Sequence, residues 1–331
     1  MFKRTLGRSG IEVSALGIGG WAIGGPWHDA ETGEPFGWGE VDDKQSIAAI
    51  HCALDAGINF IDTSDNYGAG HSERVIGHAL QGRRSDVILA TKFGFMTNEE
   101  TKEATGENAS RAYIRRACEA SLVRLRTNYI DLYQFHLGDY PEHLAHEVLE
   151  VLEELAAEGK IRSFGWSTDL PSRALLFAKS KHCTAIQHEL NLFRDNDDML
   201  EICERHELAS INRGPLAMGL LTGKYAADAT VGDAKDIRRR NNLDWLIYFK
   251  DGVPSPDMTD RLQAMREILT SNGRTLAQGA LAWLWAKSPH AVPIPGFRTV
   301  SQVTENAKAM DFGPLTPDEM RQIEQLMLQR Q

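Results

Sequence analysis

Eight short, near-continuous apolar runs punctuate this 331-residue chain, at 15–19, 60–63, 87–92, 130–136, 161–167, 185–189, 208–212 and 291–295. Runs of this kind suit strands buried on both faces, because no polar face alternates with the apolar one. Longer amphipathic stretches lie between them. Asp42-Asp43-Lys44-Gln45 can cap a helix running to about Ala56, with Gly57 as its stop. Ser110 can open another that ends near Leu125, and residues 141–158 read as a helix closed by Gly159. Thr275 to Gln278 forms a capping box, and Thr316-Pro317-Asp318-Glu319 puts proline at the first helical position. Strand–helix alternation repeated eight times predicts an α/β chain closed into a (β/α)8 TIM barrel, one domain over residues 1–331.

Two additions adjust that plan. Thr5-Leu6 and Glu12-Val13 flank Gly7-Arg8-Ser9-Gly10, which reads as an N-terminal β-hairpin. The gap between strands seven and eight is the longest. It holds a Gly/Asp/Arg-rich stretch, 214–257, and two helices, and a long loop of this kind is usually functional or disordered. No low-complexity tract, short-period repeat or linker interrupts the chain.

Composition narrows the partners. A net charge of −10 argues against nucleic acid or an anionic membrane. The polar first ten residues lack the apolar run of a signal peptide, and no run reaches the roughly 18 apolar residues of a membrane span. Cys52, Cys118, Cys183 and Cys203 form no CxxC pair and read as reduced, idle thiols. A cytoplasmic protein fits all of this.

In such a barrel, chemistry sits at the C-terminal ends of the strands. There the sequence places Gly19-Gly20-Trp21, then Asp62 with Tyr67 just beyond, Lys92, His136, Ser167-Thr168, Gln187, Asn212-Arg213 and Pro295-Gly296. Each alone has a bland reading. Lys92 could simply end a strand, His136 could be a satisfied core histidine, and Asp62 could cap a turn. Those readings leave the coincidence of polar groups at one barrel mouth unexplained.

Phe60-Ile61-Asp62-Thr63-Ser64-Asp65-Asn66-Tyr67-Gly68, followed by Ser72-Glu73 and Ile76-Gly77, resembles the signature of the aldo-keto reductase superfamily. Ala90-Thr91-Lys92 and Phe135-His136 follow at suitable places. The resemblance runs from Leu16-Gly17-Ile18-Gly19 to Glu305-Asn306. It is closest to bacterial enzymes and potassium-channel β-subunits whose last strand reads Ile-Pro-Gly, as Ile294-Pro295-Gly296 does here. It implies hydride transfer between a nicotinamide, as NADP(H), and a small carbonyl or alcohol substrate such as an aldehyde, ketone or sugar.

The residue types suit that chemistry. Tyr67 is the expected general acid or base; a free tyrosine titrates near ~10, and a neighbouring cation favours the tyrosinate. Lys92 is that cation, Asp62 its partner, and His136 the group that orients the carbonyl oxygen. Such acid–base help is worth about 10²–10⁴-fold.

For the cofactor, the resemblance implies that Ser167, Thr168 and Gln187 bind the nicotinamide carboxamide beside Gly20, Trp21 and Asp62. Thr168 stands where the family usually has Asn, Trp166 where it has a small aliphatic residue, and Arg213 where an aromatic often stacks on the nicotinamide. A planar guanidinium can stack as well. Gly214-Pro215-Leu216, Gly219 and Lys224 resemble the loop over the pyrophosphate. Gly296, Arg298, Thr299, Gln302, Glu305 and Asn306 look like the adenosine end, with Arg298 and Thr299 suited to a 2′-phosphate. Arg238-Arg239-Arg240 reads first as a solvated loop face and second as a basic run reaching the cofactor phosphates.

Trp21, Trp27, Tyr67 and His136 are the expected substrate contacts, with Trp38 as a plausible neighbour. No metal site is expected, since His136 and His188 lack a matched ligand set. Monomer and homo-oligomer are equally compatible with the sequence. The competing readings are a redox-sensing regulatory subunit with little turnover and, further off, a barrel hydrolase pairing Asp62 with Asp131 or Glu189.

Overall fold

The computed structural model describes residues 2–225 and 229–328; Met1, 226–228 and the last three residues of the expected domain lie outside them. Eight parallel strands form the barrel: β1 Gly17–Gly19, β2 Phe60–Asp62, β3 Ile88–Phe93, β4 Ile130–Phe135, β5 Ile161–Ser167, β6 Cys183–Glu189, β7 Ala209–Arg213 and β8 Ala291–Pro293. They pair in chain order. The seam between β8 and β1 is closed by a bridge from Gly19 to Gly296, with the Gly19 N–H donating to the Pro295 carbonyl at 3.0 Å. Only glycine fits there: a Cβ on Gly19 would stand 2.8 Å from the Ile294 carbonyl oxygen.

Around the strands run α1 Asp43–Asp55, α2 His71–Ala79, α3 Arg111–Leu125, α4 Ala145–Ala157, α5 Pro171–Phe177, α6 Asp197–Arg205, α7 Pro256–Leu269, α8 Leu276–Lys287, α9 Val300–Phe312 and α10 Pro317–Leu328. Their starts follow capping chemistry. Asp42 accepts from the N–H groups of Lys44 and Gln45, Ser110 from Tyr113, and Thr275 forms a capping box with Gln278. The helix read over 141–158 begins later, at Ala145, because Pro141 to Leu144 close a turn, with the Leu144 N–H on the Pro141 carbonyl. β8 stops two residues early, since Pro293 and Pro295 have no N–H to give a ladder.

Lys3–Thr5 pairs with Glu12–Ser14 as the hairpin. It closes the N-terminal end of the barrel. Leu6 and Val13 join Phe60, Ala90, Leu132, Ala185, Ile211 and Val292 in the inner core. Arg8 donates to the carbonyls of Ala178, Ser180 and Cys183. Gly7 (φ +52°) touches the Thr184 carbonyl so closely that a Cβ would overlap it.

The opposite rim holds a sheet that the apolar pattern did not predict. His28–Asp29, Glu103–Glu107 and Phe95–Asn98 form three short strands from the connections after β1 and β3.

The insertion after β7 carries tight turns at Ala217–Thr222 and Ile237–Arg239, a small hairpin of Phe249–Lys250 with Val253–Pro254, and α7 and α8. It is strapped across residues 34–40. The Ile237 N–H donates to the Gly37 carbonyl at 2.8 Å, Trp38 bridges Asp236, and Lys235 pairs with Glu40 at 2.6 Å.

Candidate active site

Strand ends place the chemistry. Lys92, fully buried on β3, points its Nζ to Asp62 Oδ1 at 2.5 Å, to the Thr63 carbonyl at 2.8 Å and to Tyr67 Oη at 3.3 Å. The other Asp62 oxygen accepts from Gln134 Nε2 at 2.9 Å and from Gln187 Nε2 at 2.8 Å. A buried ion pair is stable only when its remaining lone pairs are satisfied, and here both oxygens of Asp62 are. His136 follows β4 directly, its N–H on the Phe93 carbonyl, and its ring meets Tyr67 edge-on at 6.0 Å.

Electrostatics set the protonation states. Burial works against the Lys92 charge, but Asp62 and Tyr67 beside it hold its pKa above the ordinary lysine value. Burial also raises Tyr67 above the ordinary phenol, and this outweighs the lowering by Lys92; the Asp62 charge opposes Lys92 as well. The expected net lowering of Tyr67 is therefore not found. His136 is pushed well below the usual histidine value by burial, then by Lys92 and Arg213. At neutral pH the site holds a phenol, an ammonium–carboxylate pair and a neutral imidazole.

The aromatic wall differs from expectation. Trp21 stacks on Tyr67 at 5.9 Å and meets Trp38 at 5.3 Å and Trp245 at 6.3 Å. Its Nε1 donates to the Phe36 carbonyl. Trp27 instead packs on Phe36 as part of the buried core, so Trp245 from the insertion takes the place beside Trp21 foreseen for Trp27.

Several residues expected at the nicotinamide are occupied by the protein itself. Both hydrogens of the Gln187 amide are directed at Asp62 Oδ2 and at Gln134 Oε1. The Thr168 hydroxyl donates to the Gly138 carbonyl and accepts from the Leu170 N–H, so its one donor is used. Arg213 pairs with Asp169 and, at 3.6 Å, with Glu189, which fixes its guanidinium between two carboxylates. Trp166 faces away from the site, donating to the Leu137 carbonyl and packing on Phe177. Ser167 closes β5, nearly buried. Gly20 is held by its N–H on the Asp62 carbonyl and its own carbonyl on Ser72.

At the phosphate end, Gly214 accepts from Asn191, Pro215 and Leu216 are buried, Gly219 lies in the turn after them and Lys224 is exposed, its Nζ over the Tyr225 ring. Gly296 is exposed beside the seam. Arg298 donates to the carbonyls of Trp38 and Glu40. Thr299 and Gln302 form the capping box of α9, so the Gln302 oxygen faces the backbone and not an adenine. Glu305 is half-buried on α9, with Asn306 buried beside it.

Of the arginine run, Arg239 is exposed, whereas Arg238 and Arg240 are not a solvated face. Arg238 is 7 % exposed; it forks onto Asp236, donates to the Met218 carbonyl at 3.2 Å and lies 4.7 Å over the Trp38 ring. Arg240 pairs with Glu34 at 2.5 Å and covers Phe36, and Arg239 holds the Val231 carbonyl. The hydrolase pairing also fails on geometry. Asp131 is held by Arg84 and Arg162, and Glu189 by Arg194, Arg213 and Tyr248.

The aldo/keto reductase family pattern matches residues 15–327. The chain belongs to the aldo-keto reductase family. An uncharacterized oxidoreductase of Bacillus subtilis (strain 168), YqkF, is 31 % identical over 325 residues, covering 98 % of this chain and 96 % of its own. The glycerol dehydrogenase AKR11B4 from Gluconobacter oxydans superposes with a TM-score of 0.82 at 30 % identity, over 99 % of this chain and 95 % of that one. An aldo-keto reductase from Klebsiella pneumoniae, solved in complex with NADPH, gives 0.69 at 28 % identity, over 98 % and 95 %.

Sequence reasoning passed over three groups in this aldo-keto reductase. Gln134 sits in an apolar run, and its polarity one residue before an aromatic was the available signal. Tyr248 donates to Glu189 at 2.6 Å and receives Asn191 at 2.7 Å, tying the insertion to β6. Ser64 lies within the family signature and touches His136.

Proposed function

We propose that this aldo-keto reductase is an NADP(H)-dependent oxidoreductase that reduces a small aldehyde, ketone or sugar carbonyl, with Tyr67 giving the proton. Lys92 carries the reading: one buried ammonium joins Asp62 and the Tyr67 hydroxyl. When bound, NADPH would supply the hydride for the carbonyl carbon. Tyr67 gives its proton to the carbonyl oxygen, and Lys92 stabilises the tyrosinate left behind. Asp62 holds Lys92 in place and charged. His136, neutral, donates a hydrogen bond to the same oxygen. A phenol kept protonated at neutral pH suits the reductive direction.

The residues present fit the cofactor. Arg298 stands just before the thirteen-residue α9; its guanidinium is anchored on the Trp38 and Glu40 carbonyls, and its charge and the helix N-terminus together favour a phosphate dianion. Lys224 and the Gly214–Gly219 turn supply charge and backbone for the pyrophosphate, and Ser167 is the hydroxyl left for the carboxamide. Trp21, Trp38 and Trp245 offer flat apolar faces to a substrate. No described helix is long and apolar enough to cross a membrane. Four unpaired cysteines support a reducing, cytoplasmic setting. The regulatory-subunit reading is not favoured, since the relatives bear oxidoreductase names.

The test is NADPH oxidation with a panel of aldehydes, ketones, aldoses and glyceraldehyde, beside Tyr67→Phe. Turnover that falls at least a hundredfold in the variant, while NADPH fluorescence still reports binding, supports the reading. Undiminished turnover in Tyr67→Phe overturns it.

A further inference from the structure

Ser64 is fully buried in the turn after β2, and the proton chemistry above makes no use of it. Its Oγ lies 3.1 Å from His136 Nδ1 and 3.5 Å from Asp65 Oδ1. The imidazole has little freedom to turn: Phe95 meets it edge-on at 5.1 Å and Tyr67 at 6.0 Å.

A neutral imidazole carries one N–H and one lone pair. His136 can donate to a carbonyl oxygen from Nε2 only when Nδ1 is the bare nitrogen. A bare Nδ1 in this half-buried ring takes a donor, and Ser64 is the hydroxyl within reach. Asp65 competes poorly for that hydrogen, being 0.4 Å farther off than Nδ1 (3.5 against 3.1 Å). Burial, with Glu73 close by, also holds the Asp65 carboxyl well above the usual carboxylate range.

We propose that Ser64 is a positioning residue: its hydroxyl donates to His136 Nδ1 and locks the Nε2–H tautomer that the reducing site requires. This rests on the carbonyl-reductase reading for its purpose, but the tautomer can be read without turnover.

The experiment is ¹⁵N NMR of protein labelled at histidine, with the His136 signals assigned by their loss in His136→Gln. The wild type is expected to show a protonated Nε2 and a bare, hydrogen-bonded Nδ1. Ser64→Ala is expected to shift both nitrogens toward the mixed or Nδ1–H form. The same variant should lower kcat about tenfold, as loss of one buried hydrogen bond allows, with the KM for NADPH unchanged. Ser64→Thr, which keeps the hydroxyl, should restore the wild-type pattern. A wild type with a protonated Nδ1, or a Ser64→Ala that folds and keeps a pure Nε2–H signature, overturns the proposal. The wild-type spectrum alone decides it if Ser64→Ala does not fold. If the tautomer responds as expected while no carbonyl is turned over, the reductase reading fails and the positioning role of Ser64 stands.

Discussion

Gln134 Nε2 stands 2.9 Å from Asp62 Oδ2, the oxygen that Lys92 does not hold. With Gln187 on that same atom, the carboxylate is fixed from both sides. The amide pair is thus the support behind the ammonium.

Gln134→Leu removes one donor and leaves Gln187 with no oxygen to receive its second hydrogen. Hydrogen bonds to charged groups contribute about 1.5–3 kcal/mol, so stability should fall by about 2 kcal/mol and kcat by roughly tenfold. Urea unfolding and steady-state kinetics on the same preparation check both. Unchanged stability would remove the argument that Asp62 needs this support.

Lys92→Met strands Asp62 as a buried, uncompensated carboxylate, which typically costs about 3–5 kcal/mol. Adding Asp62→Asn to it removes the stranded charge. The double variant should recover most of the stability and none of the turnover. Thermal unfolding of both variants separates the structural and chemical roles of the pair.

The pH profile follows from the directions of the shifts. Tyr67 is raised above its usual value and His136 lies well below its own. The acid that reduction needs stays protonated until pH exceeds the ordinary tyrosine value of ~10, and the histidine stays neutral well below ~6.5. Single-turnover reduction should be flat between about pH 6.5 and 9 and fall only on the alkaline side. A decline centred near pH 7 would mean that a different group gives the proton.

His188 is buried with Nε2 at 2.8 Å from Ser210 Oγ, and its pKa is pushed down to about 4 by burial. The unfolded chain therefore takes up a proton at His188, near pH 6.5, before the folded one does. Stability contributed by the neutral ring is complete above about 6.5, declines as pH drops, and is fully lost below about 4. The span corresponds to roughly 3 kcal/mol. His188→Asn should flatten that part of the stability curve, measured by chemical unfolding from pH 4 to 7.

Arg238→Ala leaves Asp236 buried without its fork and empties the space over Trp38. The strap over residues 34–40 should loosen. Limited proteolysis should cut within 229–255 faster than in the wild type, and NADPH affinity should drop. Resistance equal to the wild type would mean that Arg240 and Lys235 suffice to hold the strap.

Strands buried on both faces announce themselves, and so the barrel was legible from runs such as Val87–Lys92 and Ile130–His136. Their ends were less so, because prolines at 293 and 295 and the turn at Pro141 stop or delay elements without changing hydropathy. The rim sheet was hidden because Glu103–Glu107 is polar and half-exposed, held by backbone pairing rather than by an apolar face. At the site, strand-end position foretold the approach of Asp62, Lys92 and Tyr67. It could not foretell which polar groups the protein would use on itself. Gln187, Thr168, Gln302 and Arg213 each meet a partner that is distant in sequence or is backbone. Arg238 looked like a loop charge because its three aromatic neighbours, Trp38, Tyr225 and Phe249, come from separate segments.

The hairpin at the barrel's base sets an order of events during synthesis. Its seat is built from Thr184 and Ala209, and from inner-core residues as late as Val292 and Ile294. When residues 2–14 leave the ribosome most of that seat does not yet exist: Phe60, Ala90 and Leu132 come first, and 170 residues separate position 14 from Thr184. This segment, made before the barrel that seats it, is therefore among the last to settle. Until then the nascent chain carries Leu6 and Val13 uncovered, and docking the hairpin is a late, long-range closure that registers whether the rest of the ring has formed.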